Sequence, residues 1–158
     1  MVWFEVNSVR LVGPHFFDGN VNAQSYLQVL EGCVWPAARY QRWTFQHDGA
    51  PAHYSIAVRA WLDQKFPGRW MGRMGPIEWP PRSPDLTPPD FFLWGYLKQL
   101  PGIKGPSPPS TIPEILDRIR ICCQEITPEQ CAKACRSVRS RFELCVAGEG
   151  AIVASCEL

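Results

Sequence analysis

The stretch RWTFQHDGAPAHYSIAVRAW, residues 42–61, decides how this chain is expected to fold. Residues 42–47 are aromatic and polar in a short run that predicts a β-strand. Residues 48–51 carry turn-forming types. Apolar positions 56, 57, 60 and 61 then predict a helix that ends near residue 66. Asp48 is thereby placed at the carboxyl end of a strand, the edge at which α/β sheets gather ligands and metals.

The residues before this stretch predict a hairpin and a helix. Residues 1–6 alternate, with Val2, Phe4 and Val6 on one side, and residues 11–17 read as a second strand after a turn. Asn22 is a helix-capping type, and the apolar positions after it predict a helix that stops near Pro36.

The residues after it alternate between loops and helices. Eleven of the sixteen prolines fall in residues 76–113, which favours loops and helix starts around a strand near residues 77–79 and a helix over residues 91–100. Two amphipathic helices begin at the predicted capping boxes of Thr111 and Thr127. The predicted domains are residues 1–100, a Pro/Gly/Ser linker at residues 101–110, and a helical extension at residues 111–158. The element order indicates an α/β fold.

Composition limits the classes of function only loosely. The 158 residues are enough for one hydrophobic core, and the net charge of +1 does not indicate a nucleic-acid partner. Residues 39–104 contain nine Lys or Arg against five Asp or Glu, which fits either a mild basic bias or an ordinary solvated surface. No apolar run is long enough to span a bilayer. The seven cysteines suit buried thiols better than disulfides or a zinc site.

Two carboxylates stand out as candidate metal ligands. Asp48 ends one strand, and Asp90 lies in the first turn of the helix that follows another strand. Two such carboxylates brought together can hold divalent cations that cleave a phosphodiester. Structural roles are the simpler alternative from spacing alone, because Asp48 could make an Asx turn and Asp90 could complete a capping box with Thr87.

Two long motifs resemble those of mariner-type transposases. The segment FQHDGAPAH, residues 45–53, resembles the motif of the second metal-binding aspartate. The segment WPPRSPDLTPPDFFLW, residues 79–94, resembles the motif of the third acid, and the two occur in the family's order. The opening hairpin also matches, so that the resemblance covers most of residues 1–100 and, more loosely, the closing helices.

The resemblance implies a ribonuclease-H-like fold and metal-dependent cutting and joining of transposon DNA. Asp48 matches the second metal aspartate and Asp90 the third acid, with Mg²⁺ or Mn²⁺ as the implied cofactor. His53 is expected to pack or hydrogen bond, and Asp85 to organise its turn. The implied partner is DNA, at transposon ends and target, in the nucleus. A homodimer is expected to be possible, and no membrane contact is expected.

One departure from the family limits these expectations. The family's first aspartate lies on a strand before the element that residues 1–6 resemble, and neither Glu5 nor Asp18 matches its position. We therefore expect an incomplete ribonuclease-H-like domain that lacks a central strand and the DNA-reading N-terminal region. Such a domain should bind DNA without strand transfer, as a fragment, a decayed copy or a truncated gene product.

Two alternatives to a transposase-derived domain stay open. One is a non-catalytic DNA-binding or interaction protein that uses basic side chains, namely Arg69, Arg73, Arg82, Lys133, Arg136, Arg139 and Arg141. The other is a remnant without function that does not fold stably.

Overall fold

The computed structural model describes residues 1–79, 83–100, 103, 105 and 107–153. The chain forms two compact units. The first comprises residues 1–3 and 15–82, and the second residues 4–14 and 83–158. Of the predicted linker, positions 101, 102, 104 and 106 lie outside the described residues, as does Arg82.

The predicted hairpin at the start of the chain is confirmed. Strands β1 (Val2–Val6) and β2 (Leu11–Phe16) pair as a two-stranded sheet. Its turn is held by Asn7, whose side-chain oxygen accepts hydrogen bonds from the backbone of Val9 at 3.0 Å and of Arg10 at 2.9 Å. Asparagine thus makes the local turn that its position between two strands predicted.

The helix predicted after the hairpin begins at the expected cap, Asn22, but it ends later than expected. It runs as α1 (Ala23–Val29), a π-helical turn (Leu30–Val34) and α2 (Trp35–Ala38). The helix continues two residues past the predicted end near Pro36, through a π turn in which the backbone N–H of Trp35 donates to the carbonyl of Leu30. Pro36 then lies in the first turn of α2, where proline is tolerated.

A parallel sheet of three short strands completes the first unit. Its strands are β3 (Phe45–Gln46), β4 (Trp70–Gly72) and β5 (Ile77–Glu78), in that order across the sheet. Helix α3 (Ile56–Lys65) connects β3 to β4. The strand near residues 77–79 is confirmed. Strand β4 was not predicted, because three residues that end in glycine show no alternation.

The core of the first unit lies between its helices and this sheet. Helix α3 buries Val58, Trp61 and Leu62, and Trp70 of β4 is 1% exposed. The indole nitrogen of Trp70 donates to Asp63 Oδ1 at 2.9 Å, so that its polar atom is satisfied. The buried cluster is Tyr26, Leu30, Val34, Ala38, Phe45, Ala52, Val58, Trp61, Leu62, Phe66 and Trp70.

The second unit carries the proline-rich motif and the closing helices. A 3₁₀ turn (Pro84–Leu86) precedes a π-helical turn (Pro89–Leu93), which continues into α4 (Trp94–Gln99). Helices α5 (Ile112–Gln124) and α6 (Pro128–Ala147) follow. The predicted helices over residues 91–100 and after Thr111 and Thr127 are therefore confirmed.

Only one of the two predicted capping boxes is complete. At the start of α6, the Thr127 hydroxyl accepts from the backbone of Gln130, whose side chain accepts from the backbone of Thr127. At the start of α5, Thr111 accepts from Glu114, but the Glu114 carboxylate accepts from Ser110 instead. The second half of that box was predicted wrongly, because the preceding serine offers two donors to the same carboxylate.

Apolar side chains and thiols fill the second unit. Phe4 packs edge-to-face on Trp94, with ring centroids 5.2 Å apart. Of the six described cysteines, Cys122, Cys123 and Cys131 are buried, as predicted, whereas Cys33, Cys135 and Cys145 are only partly buried. None of the helices in the described part of the chain has the length and apolar composition needed to cross a bilayer.

Candidate functional site

Asp48 lies directly after β3, at the end of the strand. The preceding backbone N–H, that of His47, donates to Met71 of β4 at 3.1 Å and so extends the strand pairing up to the aspartate. The Asp48 side chain is 60% exposed, and its Oδ1 accepts a hydrogen bond from the backbone of Ala50 at 2.9 Å. The Asx turn considered from the sequence is therefore present, and it leaves the carboxylate open to solvent.

His53 makes the second contact with this carboxylate. Its Nδ1 lies 2.6 Å from Asp48 Oδ1, and the His53 side chain is 16% exposed. The ring stacks on Tyr26 of α1, with centroids 4.1 Å apart and planes 29° apart. Because the hydroxyphenyl ring of Tyr26 is buried, it provides a fixed platform for the imidazole.

The electrostatics of this turn keep Asp48 ionised. The contact with His53 is the largest cause that lowers the pKa of Asp48, to about 2, and the backbone hydrogen bond from Ala50 adds to it. Partial burial opposes the shift but is outweighed. Asp48 is thus a carboxylate at any physiological pH, the form in which it can bind a hard cation.

His47 is the buried neighbour of this pair. Its ring is nearly parallel to that of His53, at 5.3 Å, and edge-on to Trp70, at 5.5 Å. Burial lowers the pKa of His47 to about 3, and the charge of His53 adds to the effect against the opposing pull of Asp48. Within the described residues, neither ring nitrogen of His47 has a hydrogen-bond partner. His47 is therefore a neutral part of the wall behind Asp48.

Asp90 lies at the start of a helix in the second unit. It belongs to the π-helical turn, and its side chain is exposed. Its backbone N–H donates to the backbone carbonyl of Thr87 at 2.9 Å. The Thr87 hydroxyl donates to Ser83 at 3.1 Å. π-Helical turns inside helices are frequent at functional sites. Asp48 and Asp90 belong to different compact units, so that their convergence on one cation stays a prediction.

Asp85 connects its turn to distant parts of the second unit. Its carbonyl accepts from Arg141 Nη1 at 3.1 Å, and its carboxylate accepts from the backbone of Val153 at 2.8 Å. The carboxylate therefore reaches outside its own turn. The guanidinium of Arg141 also lies 4.0 Å from the centroid of the Phe91 ring.

Arg141 is not on the exposed face to which the sequence assigned it. Its side chain is 4% exposed, and α6 also turns Cys131 and Ala134 inward. The predicted exposure of Arg141 is wrong, because a carbonyl and an aromatic face satisfy the guanidinium in the interior. A prediction from hydrophobic periodicity places every arginine on the exposed face of a helix. It cannot detect the contacts that Arg141 makes with the Asp85 carbonyl and the Phe91 ring.

The other predicted basic residues lie on both units. Arg69 donates to the Trp43 carbonyl at 3.0 Å. Arg73 is exposed, and its guanidinium lies 4.3 Å from the centroid of the Tyr54 ring, next to the turn that begins at Asp48.

On α6, three predicted basic residues are exposed. They are Lys133, Arg136 and Arg139, and Arg139 pairs with Glu143 at 3.1 Å. They form a cationic strip on the helix, and their binding of a nucleic acid stays a prediction.

The donor chemistry of Asp48 suits one ligand of a divalent cation. The carboxylate is ionised and exposed, and both of its contacts in the described structure fall on Oδ1. No group of three or more His, Cys, Asp or Glu side chains able to hold a metal is present among the described residues. Asp48 therefore fits a cation such as Mg²⁺ or Mn²⁺ as one member of a larger ligand set.

The sequence missed the support of this carboxylate. Tyr26 and His47 complete a stack of rings with His53, but they come from a helix and a strand that only the fold brings together. The one available signal was the pair of histidines that flanks Asp48 in residues 47–53.

Comparison with curated proteins finds transposases. The Tcb1 transposase of Caenorhabditis briggsae is 32% identical over 108 residues, which are 66% of this chain and 37% of the relative. The Tc3 transposase of Caenorhabditis elegans is 28% identical over 145 residues, which are 90% of this chain and 41% of the relative. The chain thus spans about two fifths of the length of these curated relatives. No family profile matches it.

Comparison with solved structures finds the catalytic domain of Mos1 mariner transposase. That domain is similar with a TM-score of 0.73 and 21% identity, over 97% of this chain and 74% of that one. A Mos1 paired-end complex with the left transposon end gives a TM-score of 0.75 at 22% identity, over 97% of this chain and 44% of that one. The chain therefore has the ribonuclease-H-like α/β fold of the Mos1 catalytic domain. The relatives found by both comparisons are transposases.

Proposed function

We propose that this chain forms part of a transposase catalytic domain that cuts DNA at transposon ends and joins it to a target. Asp48 and Asp90 are two of its metal-binding carboxylates. The observation that carries the proposal is the Asp48 carboxylate, ionised and exposed at the carboxyl end of a parallel strand. Mos1 catalytic-domain structures with Mg and with Mn support a divalent cofactor. A Mos1 complex with a transposon end supports DNA as the partner.

The residues of the site have distinct tasks in this proposal. A bound divalent cation would activate water and stabilise the leaving oxygen of a phosphodiester. Asp48 presents a carboxylate ligand, and both of its contacts, with Ala50 and His53, are made at Oδ1. Asp90 presents a second carboxylate from the start of a helix. The exposed guanidinium of Arg73, beside the Asp48 turn, is placed to contact a DNA phosphate.

By the resemblance to mariner-type motifs, neither Glu5 nor Asp18 matches the family's first metal-binding aspartate. We therefore propose that a polypeptide of residues 1–158 alone binds DNA and divalent cations weakly and does not perform strand transfer. The test is a titration with Mn²⁺ of this polypeptide and a labelled supercoiled plasmid, with Asp48→Asn as the variant and Asp117→Asn, an exposed carboxylate of α5, as the control.

The outcomes distinguish metal binding at Asp48 from cleavage of DNA. Mn²⁺ binding, followed by the electron paramagnetic resonance of the free ion, should weaken in Asp48→Asn and stay unchanged in Asp117→Asn. Equal binding by both variants would remove Asp48 from the site. Clear nicking of the plasmid by the wild type that disappears in Asp48→Asn would support Asp48 as a metal ligand. It would contradict the proposal that the 158-residue polypeptide is inactive.

A non-catalytic DNA-binding role is the second candidate, and the cationic strip of α6 favours it. Lys133 and Arg136 are exposed on one helix and available to phosphates. Reversal of both charges to Glu should weaken DNA binding and flatten its salt dependence, whereas Arg120→Glu on α5 should change neither. Binding that ignores salt contradicts this role.

Two further features belong to the proposal. DNA as the partner places the site of action in the nucleus, which imaging of a fluorescent fusion tests. A homodimer that holds two DNA ends is tested by analytical ultracentrifugation with and without duplex.

A further inference from the structure

Two nitrogen atoms lie close to a single oxygen of the Asp48 carboxylate. The backbone N–H of Ala50 donates to Oδ1 at 2.9 Å, and Nδ1 of His53 lies 2.6 Å from the same atom. Two contacts at one oxygen restrict both side-chain torsions of the aspartate, although its side chain is 60% exposed. An exposed aspartate without such contacts would exchange between rotamers.

The His53 ring is itself fixed in place. It stacks on Tyr26 at 4.1 Å, and Tyr26 is 1% exposed within the core of the first unit. The His47 ring lies 5.3 Å from the His53 ring and only 9° from parallel to it. The position of Nδ1 is therefore set by buried aromatic rings and not by the surface turn.

We propose that His53 is a positioning residue that orients the Asp48 carboxylate so that Oδ2 faces the incoming divalent cation. A partner that orients a metal-binding group typically changes metal affinity by about 10–100-fold when it is mutated. His53 joins the buried core of the first unit, through Tyr26, to the exposed carboxylate of Asp48. The metal-binding part of this inference rests on the function proposed above, whereas the orientation of Asp48 does not.

Two variants separate the polar contact from the stacking. His53→Phe keeps a ring on Tyr26 and removes the nitrogen, whereas His53→Asn places an amide N–H near the position of Nδ1 and removes the aromatic ring. Each is compared with the 158-residue wild type by the three-bond Hα–Hβ couplings of Asp48, which report its rotamer. Mn²⁺ binding is measured by electron paramagnetic resonance, and the thermal midpoint reports stability.

The expected result is one Asp48 rotamer in the wild type, rotamer averaging in His53→Phe, and partial averaging in His53→Asn, which keeps a donor but loses the stacking on Tyr26. The apparent Kd for Mn²⁺ should rise about tenfold in His53→Phe, while its thermal midpoint stays near that of the wild type. A purely structural histidine would lower the midpoint and leave the couplings of the folded protein unchanged.

Three outcomes decide the matter. Averaged couplings in the wild type, or a single rotamer in His53→Phe, overturn the positioning role. If His53→Phe does not fold, His53→Leu replaces it. A single Asp48 rotamer in His53→Leu, or averaged couplings in the wild type, would then overturn the positioning role. If the couplings change as expected and neither wild type nor variants bind Mn²⁺, the positioning of Asp48 stands and the metal site of the proposed function fails.

Discussion

The guanidinium of Arg141, on the last helix, lies 4.0 Å from the centroid of the Phe91 ring, which follows Asp90 in the chain. The same guanidinium donates to the carbonyl of Asp85 at 3.1 Å. One buried cation therefore holds both the 3₁₀ turn and the helix start of the motif assigned to the third acid. The closing helix, which was predicted as part of a helical extension, supports this motif directly.

Replacement of Arg141 should destabilise the second unit. Arg141→Met keeps much of the side-chain volume but loses the contact with the Phe91 ring and leaves the Asp85 carbonyl unpaired. The expected loss is about 2 kcal/mol in the free energy of unfolding, measured with urea. Arg136→Met, at an exposed position of the same helix, should change stability by less than about 0.5 kcal/mol. Equal effects of the two variants would show that the buried contact contributes nothing.

Glu5 gives the hairpin a pH dependence. Burial is the largest cause that raises the pKa of Glu5, while the hydrogen bond from Asn7, at 3.0 Å, and the charge of Arg10 oppose the shift. A carboxyl whose pKa is raised on folding contributes stability below its ordinary pKa, near 4.5, and loses it as pH rises through the folded value.

Glu5→Gln should therefore stabilise the protein at neutral pH by about 1 kcal/mol, because the amide keeps an oxygen for Asn7 without a buried charge. The gain should vanish near pH 4, where the wild-type carboxyl is also neutral. Unfolding by urea at both pH values measures it, with the exposed Glu143→Gln as the control. A gain of the same size at both pH values would contradict the explanation by charge.

Local signals were enough to predict most helices and the hairpin. Asn22 and Thr127 cap helices as their side chains predict, since capping depends only on residues three positions apart. The end of α2 and strand β4 were missed, because a π turn and a three-residue strand leave no periodic pattern. Such features follow from tertiary packing rather than from local preference.

The candidate site also combines features that local sequence predicts with features that only tertiary packing produces. The position of Asp48 after a strand and its Asx turn follow from adjacent residues. The platform of Tyr26 beneath His53 joins α1 to the turn after β3, and the inward position of Arg141 depends on an aromatic face far along the chain. Contacts of this kind cannot be read from one sequence by spacing, because nothing local requires them.

Gly72 is needed because the His47 ring occupies the space where its side chain would lie. A Cβ at this position of β4 would overlap the imidazole. Gly72→Ala should destabilise the protein by about 2 kcal/mol, as overpacking does in a filled core. Gly95→Ala, in α4, meets no atom within 4 Å and should stabilise by about 0.5 kcal/mol. Thermal unfolding of both variants measures the contrast, and a neutral Gly72→Ala would mean that the ring moves aside freely.

His47 should make the first unit sensitive to acid. Burial lowers the pKa of His47 from 6.5 to about 3. Between these values the unfolded chain binds a proton that the folded chain does not, so that stability falls as pH decreases. The loss from this one group is at most about 1.4 kcal/mol per pH unit, and it is absent above the unfolded pKa.

The measurement is the free energy of unfolding from pH 7 to pH 4 for the wild type and for His47→Phe, which fills the same aromatic wall without a titrating nitrogen. The wild type should lose stability more steeply than the variant over this range. His15→Phe, in the hairpin strand β2, is the control for loss of a histidine. The difference between the two curves belongs to His47, because the other titrating groups are common to both proteins. Parallel curves for wild type and His47→Phe would mean that the buried ring already takes up its proton in the folded state near neutral pH.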